Sequence, residues 1–189
     1  MHSFYRRRAR SGLTLIELMI TLTIGAILLA LAVPQMREYI ARKRVSGTAT
    51  ELAADIRLAR SMVQQENQPI WINFGSTADF TCYVLYTEGD NVHYCYCDRS
   101  PNAMCEAGDN PPVPLRSVFI KRNTGITLIS TSADLGYTQP VGAPRIFSGT
   151  ARAEVSSSLG GRLLVVMNGL TRATICSLSG HTAEFGDCP

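Results

Sequence analysis

The chain has 189 residues and a formal charge of +3 at neutral pH, a length that suits one membrane helix and one globular domain. Four of its 18 basic residues lie among the first 12 positions, which contain no acidic residue, so 14 basic and 15 acidic residues follow from Leu13 onward. This near-neutral balance does not indicate a general polyanion-binding protein, although it leaves room for a local basic surface.

An apolar run of 21 residues, positions 13–33, follows this basic segment. As a helix rising about 1.5 Å per residue, it is long enough to cross a hydrocarbon core of roughly 30 Å. Its one charged residue is Glu17, and a carboxylate in a membrane helix is costly enough that it generally marks a functional site. The run therefore predicts a transmembrane helix at 13–33. The arginines before it predict that the leader, 1–12, stays on the cytoplasmic side.

The helix is expected to continue beyond Pro34, which should kink it rather than end it, because apolar periodicity resumes. The continuation is predicted at 34–66. Its apolar residues recur at helical spacing as a narrow stripe: Val45, Ala49, Leu52, Ile56, Ala59 and Val63. A stripe of fewer than three heptads favours docking against the chain's own sheet over a coiled coil.

From Ile70 the pattern changes to short strands rich in aromatic and β-branched residues, which predicts a β-rich domain over 67–189. Strands are expected at 70–74, 81–87, 92–97, 118–121, 126–129, 144–147, 163–167 and 172–176. A polar stretch, 131–142, separates the strands at 126–129 and 144–147, and the serine run 156–158 is assigned to a loop. The predicted class is therefore α+β, with a long N-terminal helix packed on an antiparallel sheet.

Six cysteines follow the membrane helix, and an even number beyond a membrane anchor favours disulfides. A hairpin turn at 88–91 would place Cys82 opposite Cys97 and leave Cys95 for Cys105. Cys176 and Cys188 enclose the C-terminal tail and are expected to pair. Other connectivities stay open, since sequence alone does not determine pairing.

A metal site at His93, Cys95, Cys97 and Cys105 is the alternative to these disulfides. The spacing there is Cys-x-Cys, whereas zinc sites more often use Cys-x2-Cys. We therefore expect no metal and no cofactor. No catalytic Ser-His-Asp or Cys-His arrangement stands out either, and the expected protein is not an enzyme.

The stretch Gly12-Leu13-Thr14-Leu15-Ile16-Glu17, after a basic leader and before an apolar helix, resembles the N-terminus of type IV pilins and type II secretion pseudopilins. An ordinary secretory signal would instead be cut after its apolar run. The resemblance implies cleavage by a prepilin peptidase between Gly12 and Leu13 and methylation of the new amino terminus at Leu13. It also implies that Glu17 pairs with the amino terminus of a neighbouring subunit during filament assembly.

The C-terminal half is similar to the GspH/FimT branch of this superfamily. The similarity rests on Arg145-Ile146-Phe147-Ser148-Gly149 and on a final hairpin around Asn168-Gly169, with Arg172 just after the turn. DNA-binding FimT proteins carry Gly-Arg-x-Arg at this hairpin, whereas this chain has Gly169-Leu170-Thr171-Arg172 and lacks one arginine. The candidate DNA contacts are Arg145, Arg152, Arg162 and Arg172, although scattered, solvated arginines are the more common outcome for such residues.

The resemblance implies a minor pilin or pseudopilin of a type II secretion system or type IV pilus. Such a subunit is held in the bacterial inner membrane by one helix, with its β-rich domain in the periplasm. Its expected partners are other pilins, the prepilin peptidase, an inner-membrane assembly platform and membrane lipid. The alternative function is that of a pilus-tip DNA receptor in natural transformation.

Overall fold

A computed structural model describes residues 14–66, 68–89, 94–131, 134–138, 143–145, 151–167, 173–178 and 184–188. Within 134–138 and 143–145 it describes the backbone and, of the side-chain environment, only that of Gly136. The chain divides into two compact units, 1–37 and 38–189. The second unit therefore includes residues 38–66 of the long helix, which are called its outer half below. The globular domain predicted from the sequence begins later, at residue 67.

Helix α1 runs over 52 residues, Leu15–Glu66, and Pro34 lies inside it. The helix thus continues past the proline and ends next to the predicted boundary. A proline in a helix interior removes one backbone hydrogen bond, but the flanking turns of α1 remain helical. Within the second unit, helix α1 therefore supplies residues 38–66.

The outer half of α1 packs against the strands through the stripe predicted from the sequence. All six stripe residues are buried, with at most 1% of their surface exposed: Val45, Ala49, Leu52, Ile56, Ala59 and Val63. They share one core with apolar side chains from both sheets, among them Ile72, Leu85 and Val155. Docking on the chain's own sheets, rather than pairing in a coiled coil, accounts for the stripe.

The first sheet has five strands in the order β3-β2-β1-β5-β6, and every pairing in it is antiparallel. Its strands are β1 (Ile70–Ser76), β2 (Phe80–Thr87), β3 (Pro114–Lys121), β5 (Asp134–Thr138) and β6 (Ala143–Arg145). Strand β5 lies in the polar stretch 131–142, where no strand was predicted from the sequence. It pairs with the outer edge of β1, opposite to β2.

The second sheet has four strands in the order β4-β7-β8-β9, again all antiparallel. Its strands are β4 (Ile126–Ser130), β7 (Ala151–Ser157), β8 (Arg162–Met167) and β9 (Ala173–Ser177). Strand β7 is a correction to the sequence analysis, which placed Ser156 and Ser157 in a loop. The final hairpin pairs from Leu163–Ser177 to Met167–Ala173, and residues 168–172 lie outside the described part of the chain.

Strand β2 is buried on both faces because two different cores lie against it. Tyr83 and Leu85 join the main core beneath the helix. Cys82, Val84 and Tyr86 join a second cluster on the opposite face, together with Trp71. Successive strand residues point to opposite faces, so a strand covered on both sides is apolar along its whole length.

The segment 94–106 covers this second face and is tied down by disulfides. The structure contains three: Cys82–Cys97, Cys95–Cys105 and Cys176–Cys188. These are the pairs expected from the sequence, but the hairpin argument for the first was wrong. Both edges of β2 are occupied, by β1 and β3, and the described residues from 94 onward form only an isolated bridge between Cys95 and Cys105.

A polar network crosses the packed face of the helix. Asp55 is 4% exposed and accepts a hydrogen bond from the Tyr83 hydroxyl at 2.7 Å. The same carboxylate oxygen lies 2.8 Å from Nε of Arg116, whose Nη2 lies 2.8 Å from Glu51. Because buried carboxylates are costly unless they are paired and hydrogen-bonded, this network explains how an acidic residue is accommodated beside the core.

The C-terminal tail is held against β9 and the helix. The backbone N–H of Cys188 donates to the Ser177 carbonyl at 3.1 Å, and the Ser177 N–H donates to Gly186. Glu184 pairs with Lys43 and accepts a hydrogen bond from Ser46 at 2.9 Å. The pKa of Lys43 is raised by its hydrogen bond to Glu184, so this ion pair and the last disulfide together fix residues 184–188.

Gly136 offers a direct test of the five-stranded sheet. It lies opposite Trp71, and a Cβ added there would lie 2.5 Å from a Trp71 ring carbon. We expect Gly136→Ala to lower the free energy of unfolding by about 1–3 kcal/mol, because the ring has to move. Denaturant unfolding of the full chain in detergent, followed by the fluorescence of the single tryptophan, measures this.

The matched control is Gly47→Ala, where an added Cβ has no neighbour within 4 Å. This helix position should gain up to about 1 kcal/mol, since alanine is the better helix former. Equal stability of the Gly136→Ala and wild-type chains would contradict the described contact with Trp71.

The Asp55 network predicts a pH dependence. Burial raises the pKa of the Tyr83 hydroxyl, and its hydrogen bond to Asp55 raises it further. As pH rises past the ordinary tyrosine pKa of about 10, the unfolded chain therefore loses this proton first, and the free energy of unfolding falls. Tyr83→Phe should cost about 1–2 kcal/mol at pH 8 but show a shallower fall between pH 8 and 10.5. Parallel profiles for the two chains would show that Tyr83 does not contribute.

Candidate functional site

Glu17 lies in the first turn of α1 and is exposed. Its backbone N–H donates to Oγ1 of Thr14 at 3.3 Å, and the Leu18 N–H donates to the Thr14 carbonyl at 3.2 Å. Thr14 therefore caps the start of the helix, which leaves several backbone N–H groups without intrahelical partners. A carboxylate in this turn also interacts favourably with the helix dipole.

The sequence analysis did not identify this cap. The spacing Thr14-x-x-Glu17 is that of a capping box, and this was the signal that could have predicted it. Within the described part of the chain, no side chain pairs with the Glu17 carboxylate.

The helix around Glu17 presents an apolar surface over 15–33. Its large side chains are mostly exposed, for example Leu15 at 76% and Leu29 at 65%. Its threonine hydroxyls donate to backbone carbonyls of the preceding turn, Thr21 to Leu18 at 2.9 Å and Thr23 to Ile20 at 2.8 Å. By length and composition α1 can span a membrane, and these internal hydrogen bonds leave few polar groups that need water.

Gly12 and Leu13, the predicted cleavage and methylation positions, lie outside the described residues. The described helix begins two residues after Leu13. Cleavage between Gly12 and Leu13 would therefore place the new amino terminus four residues before Glu17, at the start of the helix.

The candidate metal ligands are accounted for differently. Cys95, Cys97 and Cys105 are all in disulfides, and His93 lies outside the described residues. Among the residues that the structure covers, no group of three or more His, Cys, Asp or Glu side chains is placed to hold a metal ion.

The four candidate DNA-contacting arginines are only partly visible. Arg152 and Arg162 lie exposed on β7 and β8, and Nε of Arg162 is 2.8 Å from Glu154. That hydrogen bond raises the pKa of Arg162. The negative charge of Glu154 also offsets part of the positive charge that Arg162 would present to DNA. The structure describes only the backbone of Arg145, in β6, and Arg172 lies outside the described residues.

Comparison with known proteins finds similarity that includes the N-terminal segment. A family model described as the prokaryotic N-terminal methylation motif matches residues 7–33. Two curated fimbrial proteins from Pseudomonas aeruginosa are each 43% identical to this chain over 56 residues, which is 30% of this chain and 36% of each relative. The chain thus spans about a third of the length of these relatives. No solved structure gives a significant match.

The methylation motif covers the same segment as Glu17 and the apolar half of α1. This segment leads into a helix whose outer half docks on antiparallel sheets, an α+β arrangement. By its N-terminal motif, its similarity to fimbrial proteins and its fold, the chain is a type IV pilin-like protein.

Proposed function

We propose that this chain is a non-enzymatic minor pilin or pseudopilin of the GspH/FimT type, in a type II secretion system or a type IV pilus. The observation that carries the proposal is Glu17, the single charged residue of the apolar stretch 13–33. This stretch overlaps the methylation motif. Such a charge is costly in lipid unless it finds a partner, and no described residue of the chain supplies one.

In this proposal the partner is the amino terminus of a neighbouring subunit. A prepilin peptidase cuts between Gly12 and Leu13 and methylates Leu13, and an inner-membrane assembly platform then moves the subunit into a filament of other pilins. Residues 13–33 anchor the chain in inner-membrane lipid before assembly. The β-rich unit lies in the periplasm, where an oxidising environment supports its three disulfides.

A structural rather than enzymatic role is supported by how the described charged side chains are used. Asp55 and Arg116 bridge the helix and the first sheet, Glu184 and Lys43 fix the tail, and Glu154 pairs with Arg162. Each pair has an evident architectural role.

The alternative, a DNA receptor at a pilus tip, lacks a comparable observation. DNA binding needs several cations that can reach phosphates together. Of the four candidate arginines, Arg162 is paired with Glu154 and only Arg152 is an exposed side chain with no described charged partner. We therefore place filament assembly first.

Replacing Glu17 tests the assembly role. We expect Glu17→Leu to insert into the membrane normally, because an apolar residue is favourable in lipid. Its recovery in sheared filament fractions should fall by about tenfold or more, since a charge-assisted contact is lost. Met19→Leu, an apolar substitution two residues further along the helix, is the control and should assemble like wild type. Normal assembly of Glu17→Leu would contradict the proposed pairing.

Processing is tested separately at Gly12. We expect Gly12→Val to retain the 12-residue leader, because a branched side chain obstructs the peptidase at the scissile bond. Immunoblotting in cells with a prepilin peptidase should then show only full-length precursor in the inner membrane. Ser11→Val, the neighbouring substitution, should still be processed, and complete processing of Gly12→Val would rule out this cleavage site.

A further inference from the structure

An open cavity of about 320 Å³ lies where two turns meet at the end of the first sheet. One turn connects β1 to β2, and the other follows β3. Ligand pockets in proteins begin at about 300 Å³, so the cavity is large enough for a small molecule. It is lined by Ala78, Asp79, Phe80, Lys121, Arg122 and Asn123.

Arg122 holds the two turns together. Its backbone N–H donates to the Asp79 carbonyl at 2.8 Å, its Nε to the Thr77 carbonyl at 2.9 Å and its Nη2 to the Ser76 hydroxyl at 2.8 Å. The Thr77 hydroxyl in turn accepts a hydrogen bond from the Phe80 N–H at 3.2 Å. The cavity is thus preformed, which lowers the entropic cost of binding.

Phe80 supplies an apolar wall. Its ring meets the ring of Phe119 nearly edge-on, with centroids 5.4 Å apart and an angle of 80° between the planes, a favoured aromatic geometry. Phe80 is only half-buried. An aromatic or apolar group could therefore cover its remaining exposed surface without displacing it.

Lys121 supplies a cation beside this wall. It lies directly opposite Phe80 in the pairing of β2 with β3. Directly opposed residues share one face of a sheet, so their side chains are neighbours. Across the described ranges of the chain, neither the Lys121 ammonium nor the Asn123 amide has a side-chain partner. Arg122, by contrast, is already used to hold the turns.

We propose that this cavity is a binding site for a monocarboxylate with an aromatic or bulky apolar body. The carboxylate lies against Lys121 and Asn123, and the body packs on Phe80. The charged groups in the lining, Asp79, Lys121 and Arg122, sum to +1, which a single carboxylate balances. A free organic acid and the C-terminal residue of a polypeptide share this chemistry.

The probe is N-acetyl-L-phenylalanine, titrated to 20 mM into the ¹⁵N-labelled full chain in detergent. We expect saturable amide shifts at Phe80, Lys121 and Asn123, with a Kd in the millimolar range. N-acetyl-L-phenylalaninamide, which lacks the charge, should bind about threefold or more weakly. Absence of saturable shifts at these residues, or equal affinity for the two probes, would overturn the proposal.

Lys121→Gln removes the cation while keeping a polar side chain of similar length. It should weaken N-acetyl-L-phenylalanine by about threefold or more, whereas Arg37→Gln, an exposed cation on the helix, should leave the affinity unchanged. Unshifted signals elsewhere establish that both variants are folded. Equal affinity of the two variants would also overturn the assignment.

The two sources of the ligand are separated with the peptide Gly-Ser-Gly-Phe. Binding of its free acid, but not its C-terminal amide, at least as tightly as the acetylated amino acid supports recognition of a chain terminus. Exclusion of the peptide while the acetylated amino acid binds supports a free organic acid.

Discussion

Burial of one narrow stripe of helix α1 is the contact on which the β-rich unit depends. The stripe combines small and large residues, with Ala49 and Ala59 fully buried beside Leu52 and Ile56. Small residues let the strands approach the helix closely, and the larger ones fill the space between the two sheets. Both sheets contribute side chains to this core, so the helix packs against both of them.

The opposite face of the five-stranded sheet is covered in a different way. In the described structure the segment 94–106 lies there, with one short 3-10 helix at Pro101–Ala103, and it is fastened by Cys82–Cys97 and Cys95–Cys105. A short irregular segment buries little apolar surface, so covalent links compensate for the small core it forms with Trp71, Val84 and Tyr86. The fold thus combines a helix-packed core with a disulfide-stabilised one across a shared sheet.

One helix serves both parts of the molecule. Its first half exposes apolar side chains around Glu17, and its second half buries the apolar stripe among the strands. The change follows from composition: the first half is apolar all round, whereas most of the second half outside the stripe is polar. This division separates a segment whose apolar side chains are exposed from a segment that packs on the strands.

The sequence by itself determined the features that depend on local pattern. These are the apolar helix with its single carboxylate, the docking stripe, the approximate positions of most strands and the expectation of disulfides. Periodicity over one or two helical turns, β-branched content and cysteine count are visible without knowledge of partners. The N-terminal motif was equally accessible because its residues are contiguous.

Only the tertiary structure decided which strands pair and which polar residues meet. The hairpin expected after β2 does not form, since β1 and β3 occupy both edges of that strand. Strands β5 and β7 were not predicted because polar and small residues interrupt their few large apolar ones, and they pair with strands distant in sequence. The contact of Asp55 with Tyr83 and Arg116 joins residues up to 61 positions apart. Such contacts depend on how the chain closes on itself, and no local pattern encodes that closure.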